Sequence, residues 1–325
     1  MKKPLIILTG PTAVGKTQLS IALAKAVGGE IISADSMQVY KKMDIGTAKI
    51  RPEEMEGVPH YLVDVLDPSD GFDVVRFQEM AKDAMEQIYQ KGKIPIIVGG
   101  TGFYIQAVLY DIDFTNTCED FAYRDSLSHY AKEKGEEALH ALLKEKDPKA
   151  AMEIHPHNVK KVIRALEFYK SSGQCISKHN EERRKKESPY LFCYLVLNQD
   201  RDILYERIEK RIDEMLKDGL VEEVKELKEM GCHKDMVSMK GLGYKEILSY
   251  LDGEMTFPEA VALLKRDTRH FAKRQLTWFR REKDAVWIDK GSFSTEEEIL
   301  LSILKLLEEK GIYNPVRGKK IENEE

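Results

Sequence analysis

Residues 4–17 read PLIILTGPTAVGKT, and the fold follows from how this stretch is built. "PLIIL" (4–8) is a short apolar run that ends at a glycine-bearing turn, the profile of a buried parallel strand. Gly10-Pro11-Thr12-Ala13-Val14-Gly15-Lys16-Thr17 then fits the pattern G-x-x-x-x-G-K-[ST], a loop whose backbone N–H groups surround phosphate oxygens. "KTQLSIALAKAV" (16–27) carries apolar residues at helical spacing and stops at Gly28-Gly29. Strand, loop and helix in that order aim the positive end of the helix dipole at the phosphates. Lys16 is a point charge for the terminal oxygens, and the Thr17 hydroxyl suits Mg²⁺. The motif says diphosphate or triphosphate without saying which. The opening "MKKPLIIL" has some look of a signal peptide, but its apolar run is short and leads straight into the loop, so it reads as a first strand.

Outward from the loop, strands and helices alternate. "EIISADS" (30–36) reads as a second strand ending on an acid, and "YLVDVLDP" (61–68) as a third, closed by Asp67-Pro68. Residues 73–91 place Phe77, Ala81, Ala84 and Ile88 on one helical face, and Gly92 ends that helix. "IPIIVGGTG" (94–102), "YLFCYLVLN" (190–198) and "AVWID" (285–289) read as further strands. This alternation predicts an α/β fold, a parallel sheet flanked by helices, with ligands beyond the carboxyl ends of the strands. Gly10–Thr17, Asp35 and Gly99–Gly102 all fall at that edge.

Between 113 and 187 the strand signals vanish, and the text turns helical and charged, with Leu127, Leu139, Leu142, Leu143, Val162, Leu166 and Phe168 as its apolar positions. "KHNEERRKKESP" (178–189) reads as an exposed loop. The organisation expected is a core of 1–112 and 188–313, a small helical insertion at 113–187 and a flexible tail at 314–325. Residues 200–283 are helical again.

The 325 residues are 42% hydrophobic and 33% charged, enough for a substantial core. No apolar run approaches the roughly 18 residues of a membrane span. The net charge of −5 argues against a polyanion partner only until its distribution is seen. In 158–186, Lys160, Lys161, Arg164, Lys170, Lys178 and Arg183 to Lys186 face only Glu167, Glu181 and Glu182. In 265–283, eight cations, Arg274 among them, face Asp267 and Glu282. Local basic surface of this kind steers nucleic acid. Cys118, Cys175, Cys193 and Cys232 are scattered without a C-x-x-C pair, so neither a disulfide framework nor a zinc site is expected, and a reducing cytoplasm is.

Asp35 has more than one reading. It can be a metal-linked acid, as in a small-molecule kinase, a general base opposite the phosphates, or the cap of a turn through "ADSMQ". A kinase also wants an apolar strand ending in a metal-holding acid, and "IPIIV" ends in Gly99-Gly100-Thr101 instead. The polar segment "DSMQVYKKMDIGTAK" (35–49) suits hydrogen bonding to a heterocycle.

"GPTAVGKT", "ISADSMQVYKKMDIGTAK", "PHYLVDVLDP", "IPIIVGGTGFY", "KKVIRALE", "GLGYKE" and "KRQLTWFRR" occur together in this order. From about residue 4 to about residue 290 the chain resembles the bacterial tRNA dimethylallyltransferases. The resemblance implies transfer of a dimethylallyl group from its diphosphate to N6 of the adenosine just 3′ to the anticodon of tRNA, by a cytoplasmic monomer using Mg²⁺. It implies that Gly10–Thr17 hold the prenyl diphosphate, that Lys16 and Arg211 (with Arg207 second) bind it, and that Thr17 meets the metal. It implies Asp35 as general base and Thr101 at the reaction centre. Asp35, Ser36, Met37 and Gln38 would line the flipped base. Arg124, Lys160, Lys161, Val162, Ile163, Arg164, Lys240, Gly241, Leu242, Gly243, Tyr244 and Lys245 would contact the tRNA anticodon stem-loop. The alternatives are a P-loop kinase of small molecules, which leaves "GGTG" and the basic runs unexplained, and a prenyltransferase acting on free adenine nucleotides.

Overall fold

The computed structural model describes residues 2–114 and 121–314. Its first part runs β1 (Lys3–Thr9), α1 (Lys16–Val27), β2 (Gly29–Ala34), β3 (His60–Tyr61), α2 (Val74–Gln90), β4 (Ile94–Gly99) and α3 (Gly102–Leu109). Helices α4 (Phe121–Lys134), α5 (Glu136–Lys146), α6 (Pro148–Glu153), α7 (Val159–Ser172) and α8 (Ile176–Lys185) follow. The chain then continues with β5 (Tyr190–Asn198), α9 (Arg201–Lys217), α10 (Leu220–Glu229), α11 (Tyr244–Leu251), α12 (Phe257–Phe279), β6 (Ala285–Asp289) and α13 (Glu296–Glu309).

The six strands form one all-parallel sheet of order β3-β2-β4-β1-β5-β6. Leu5, Ile6, Ile7 and Leu8 are fully buried, as a central strand covered on both faces requires, and this is why β1 reads as a continuous apolar run rather than an alternating one. Register decides what the sheet presents. Thr9 lies opposite Gly99, and Ala34 lies opposite Gly99 on the other side. Gly10, Asp35 and Gly100, the next residues of three strands, therefore emerge side by side at one edge. Helix α2 follows its sequence: Asp73 caps it by accepting from the Val75 and Arg76 amides at 2.9 Å each, and Phe77, Ala81, Ala84 and Ile88 are buried.

The chain divides into two compact units. One runs to Val108 and resumes at Pro189; the other is Leu109–Ser188. The break thus falls a few residues before the 112/113 boundary read from sequence. The helical unit buries Leu127, Leu139, Leu143, Val162 and Leu166 in one cluster with Leu142 packed against it, and Phe168 is also buried.

Two expectations are corrected. The strand read at 61–68 joins the sheet only through His60–Tyr61, with an isolated bridge from Leu66 to Tyr40 further on. Leu62 and Asp64 adopt left-handed φ values of 62° and 61°, which no strand sustains, and Val65 and Leu66 bond to the Val39 carbonyl instead. The stretch looks strand-like because Leu62 and Leu66 are buried from a loop. Residues 178–185, read as exposed loop, belong to α8. Nothing between Ile176 and Lys185 is a breaker, and Glu, Arg and Lys are good helix formers. Cys232 lies in a loop and is only 6% exposed, although its neighbour His233 is exposed. The expected tail and Cys118 lie outside the described residues, apart from Asn314.

Candidate active site

Ala13 and Gly15 hold left-handed φ values of 62° and 92°, which turn successive amides of the phosphate loop into one concave surface ending at the first turn of α1. Lys16 folds back over this loop, its Nζ donating to the carbonyls of Gly10 at 3.0 Å and Pro11 at 2.8 Å. Its pKa is pushed down to about 8, first by desolvation and then by the Arg211 guanidinium, with Asp35 opposing both. Arg211, also desolvated, has its own pKa lowered, and Asp35 offsets that too. Two cations and one carboxylate therefore share one electrostatic neighbourhood at the mouth of the loop.

A cavity of about 300 Å³ opens there, built wholly from the unit that carries the sheet. The phosphate loop contributes Thr12 and Ala13, the β2 edge Asp35, Ser36 and Met37, the β4 edge Thr101, and α9 Arg211. Gly46, Thr47 and Lys240 to Lys245 form a polar wall. Ile208, Ile212 and Met215 from α9, with Leu264 and Phe271 from α12, form an apolar one.

Asp35 meets one of its readings, the cap of a turn, directly. Its Oδ1 accepts from the Met37 amide at 2.8 Å and the Gln38 amide at 3.3 Å, so it does cap the turn. Among the described residues no hydrogen bond engages Oδ2. The Thr101 amide donates to the Ala34 carbonyl at 3.2 Å, which fixes Thr101 beside Asp35 across the β2 and β4 ends.

Not every expected residue reaches the cavity. Gln38, expected to line the base, is absent from its walls. Its Nε2 donates to the Thr47 and Ala48 carbonyls at 3.2 and 3.3 Å, and Ser33 donates to its Oε1, so it braces a loop instead. Arg207 is exposed and outside the cavity, whereas Arg211 lines it. Pro11 and Val14 are buried, and Gly10, Gly15, Lys16 and Thr17 shape the loop without lining this cavity. In the helical unit, Lys160, Lys161 and Arg164 are exposed on α7. Val162 and Ile163, offered as tRNA contacts, are 0% and 5% exposed and belong to that unit's core, so their side chains contact no partner. Arg124 donates to Glu167 at 2.8 Å.

Sequence reasoning missed Gln275. Its Oε1 accepts from the Thr12 amide at 2.9 Å and its Nε2 donates to the Gly100 carbonyl at 3.0 Å, tying the phosphate loop to the β4 turn. A Cβ on Gly100 would lie 2.1 Å from that Nε2, so a side chain there would push Gln275 out of the bridge. The signal was available: Gln275 falls on the stripe of α12 that buries Ala272 and Phe279, and an amide in an apolar stripe needs partners. The apolar wall and Arg274 were also unassigned.

Among the described residues, no group of three His, Cys, Asp or Glu side chains can hold a metal, Cys175, Cys193 and Cys232 are free, and no helix is long and apolar enough to cross a membrane. The model of the IPP transferase family matches residues 38–282. The chain is 61% identical to a tRNA dimethylallyltransferase of Lachnoclostridium phytofermentans over 95% of its own length and 99% of the relative's. It superposes on the crystal structure of a full-length tRNA isopentenylpyrophosphate transferase from Bacillus halodurans with a TM-score of 0.71 at 44% identity, covering 96% and 98% of the two chains. A eukaryotic dimethylallyltransferase acting on tRNA gives a TM-score of 0.76 at 31% identity, with 88% and 74% covered. None of these favours the kinase reading. A phosphate loop with no metal-holding acid after β4, an acid at the β2 edge and likeness along nearly the whole chain lead to one assignment: this chain belongs to the IPP transferase family, the tRNA dimethylallyltransferases.

Proposed function

We propose that the chain transfers the dimethylallyl group of dimethylallyl diphosphate to N6 of the adenosine 3′ to the anticodon (position 37) of tRNA, releasing diphosphate. One observation carries this reading: a single cavity joins a phosphate loop, an apolar wall and a carboxylate. The loop amides, Lys16 and Arg211 meet the diphosphate. Ile208, Ile212, Met215, Leu264 and Phe271 suit a five-carbon chain. The polar wall is left for the acceptor base.

An adenine amino group is a weak nucleophile because its lone pair is delocalised into the ring. As the new C–N bond forms and the C–O bond to diphosphate breaks, N6 must lose a proton. Asp35 Oδ2 is the acceptor, while Oδ1 stays on the Met37 and Gln38 amides and fixes the carboxylate. The electron pair of the broken bond leaves on the diphosphate. Lys16 and Arg211 stabilise the charge that develops there, and burial strengthens their effect. The Thr101 hydroxyl helps to hold the amino group.

The donors fit a metal that arrives with its substrate. Among the described residues no group of three carboxylates, imidazoles or thiols could cage a metal, the exposed Thr17 hydroxyl would be a protein ligand, and Mg²⁺ is commonly held by few protein oxygens plus phosphates and water. When bound it would supply Lewis-acid stabilisation of the leaving diphosphate. The acceptor base leaves its stack to enter the cavity. Exposed Lys160, Lys161 and Arg164, with Arg124, supply phosphate contacts, and Lys240 and Lys245 add charge at the polar wall. The likeness to the tRNA dimethylallyltransferases supports a monomer, and the tRNA substrate points to the cytoplasm.

The test is incubation with unmodified tRNA, Mg²⁺ and dimethylallyl diphosphate, with AMP and ATP as parallel acceptors, followed by mass spectrometry of the digested nucleosides. One dimethylallyl group on tRNA adenosine and none on free nucleotides is expected. Prenylated AMP or ATP with unmodified tRNA would contradict the reading.

A further inference from the structure

Glu223 stands on the first turn of α10 and is absent from every role assigned so far, yet its carboxylate collects four hydrogen bonds. Oε2 accepts from the amides of Asp44 at 2.8 Å and Ile45 at 2.7 Å. Oε1 accepts from the Gly46 amide at 3.0 Å and the Tyr244 hydroxyl at 2.7 Å. Three successive amides pointing one way make an anion-binding concavity, and here the anion is the protein's own side chain.

Two of these partners are walls of the catalytic cavity: Gly46 with its neighbour Thr47, and Tyr244. They pack directly on each other. A Cβ on Gly46 would lie 2.6 Å from Cζ of the fully buried Tyr244, so only glycine lets the loop come this close. The other side of the loop is braced independently. Gln38 donates to the Thr47 and Ala48 carbonyls, and Lys49 donates to the Tyr40 carbonyl at 2.6 Å and to Asp64 at 2.9 Å. The loop therefore has a fixed back, and Glu223 joins its front to the N-terminus of α11, where the Thr47 backbone also reaches the Tyr244 hydroxyl.

We infer that Glu223 is a positioning residue for the acceptor: it sets the spacing between the 44–47 loop and Tyr244, and so the shape of the polar wall that receives the adenosine. This rests on the proposed function, in which the phosphate loop and Arg211 take the diphosphate and the apolar wall takes the prenyl chain. Among the described residues, no residue of either of those walls shares a hydrogen bond with Glu223. Its loss acts on one substrate and spares the other.

The experiment is steady-state kinetics of Glu223→Ala and Glu223→Gln with unmodified tRNA and dimethylallyl diphosphate varied separately, beside wild type. Glu223→Ala leaves the buried Tyr244 hydroxyl and the half-buried Ile45 and Gly46 amides without this acceptor and is expected to raise KM for tRNA about tenfold or more, with KM for dimethylallyl diphosphate within about twofold of wild type. Glu223→Gln keeps one carbonyl acceptor and is expected to recover part of the loss. Should Glu223→Ala fail to fold, Tyr244→Phe removes only the hydroxyl contact and is expected to raise KM for tRNA roughly three- to fivefold. A fall in kcat with both KM values unchanged would mark Glu223 as merely structural and overturn the inference, as would a rise confined to dimethylallyl diphosphate. Wild type active on tRNA with unaffected variants sinks the inference alone. Wild type inactive on tRNA sinks the proposed function and the inference with it.

Discussion

Gln275 on α12 accepts the amide proton of Thr12 in the phosphate loop at 2.9 Å, across 263 residues of chain. Its other end donates to the Gly100 carbonyl, so one buried amide sets the distance between the phosphate loop and the turn that carries Thr101. Gln275→Met keeps the volume and removes both bonds. The buried groups left behind cost roughly 2–4 kcal/mol of stability, and the loosened loop raises KM for dimethylallyl diphosphate. Urea denaturation and kinetics check this; wild-type values in both would show that the bridge is idle.

Lys16 and Arg211 give the pH dependence. Desolvation, then Arg211, holds the Lys16 pKa near about 8. Below that pH the ammonium is charged and binds diphosphate; as pH rises through it the charge is lost. We expect kcat/KM for dimethylallyl diphosphate to fall on the alkaline side with a midpoint near 8. Arg211→Met removes the second cause, so the limb moves to higher pH while KM rises. A limb that stays in place in the variant would uncouple the two cations.

Glu282 carries a stability effect. Burial, with Asp284 adding, pushes its carboxyl up to about 7, while the nearby Trp278 indole opposes the shift. The folded state therefore holds a proton that the unfolded chain has released between about pH 4.5 and 7, and wild-type stability declines across that window. Glu282→Gln is expected to equal wild type below the window and to exceed it by about 1–3 kcal/mol at pH 8. Denaturation at both pH values checks this, and equal stabilities at pH 8 would contradict it.

Lys160 and Lys161 are exposed on α7 while their neighbours Val162 and Ile163 anchor the helix, so Lys160→Ala with Lys161→Ala should leave the unit folded. The proposed phosphate contacts predict weaker tRNA binding and a log–log salt slope shallower by roughly 1.4 to 1.8. An unchanged slope would place the tRNA path elsewhere.

What sequence could and could not tell follows from range. The β1 run, the loop from Gly10 to Thr17 and the buried face of α2 are local patterns, and all three appear as read. Asp35 and Thr101 meet because parallel register places Ala34 opposite Gly99, which the edge rule for such sheets anticipates. Gln275, Glu223 and the apolar wall act across hundreds of residues, and nothing in their neighbours announces the partner. Leu62 and Leu66 misled for the converse reason: buried residues in a loop imitate a strand. Val162 and Ile163 sit inside a motif whose charged members are outside, and only the fold separates them.

The most direct test concerns Asp35. Asp35→Asn keeps an oxygen for the Met37 and Gln38 amides and removes the basic one, so the turn stays while the proton acceptor goes. Single-turnover transfer to saturating tRNA should fall about 10²- to 10⁴-fold, with tRNA and dimethylallyl diphosphate binding near wild type. Transfer at the wild-type rate would contradict the role of Asp35 and the mechanism built on it.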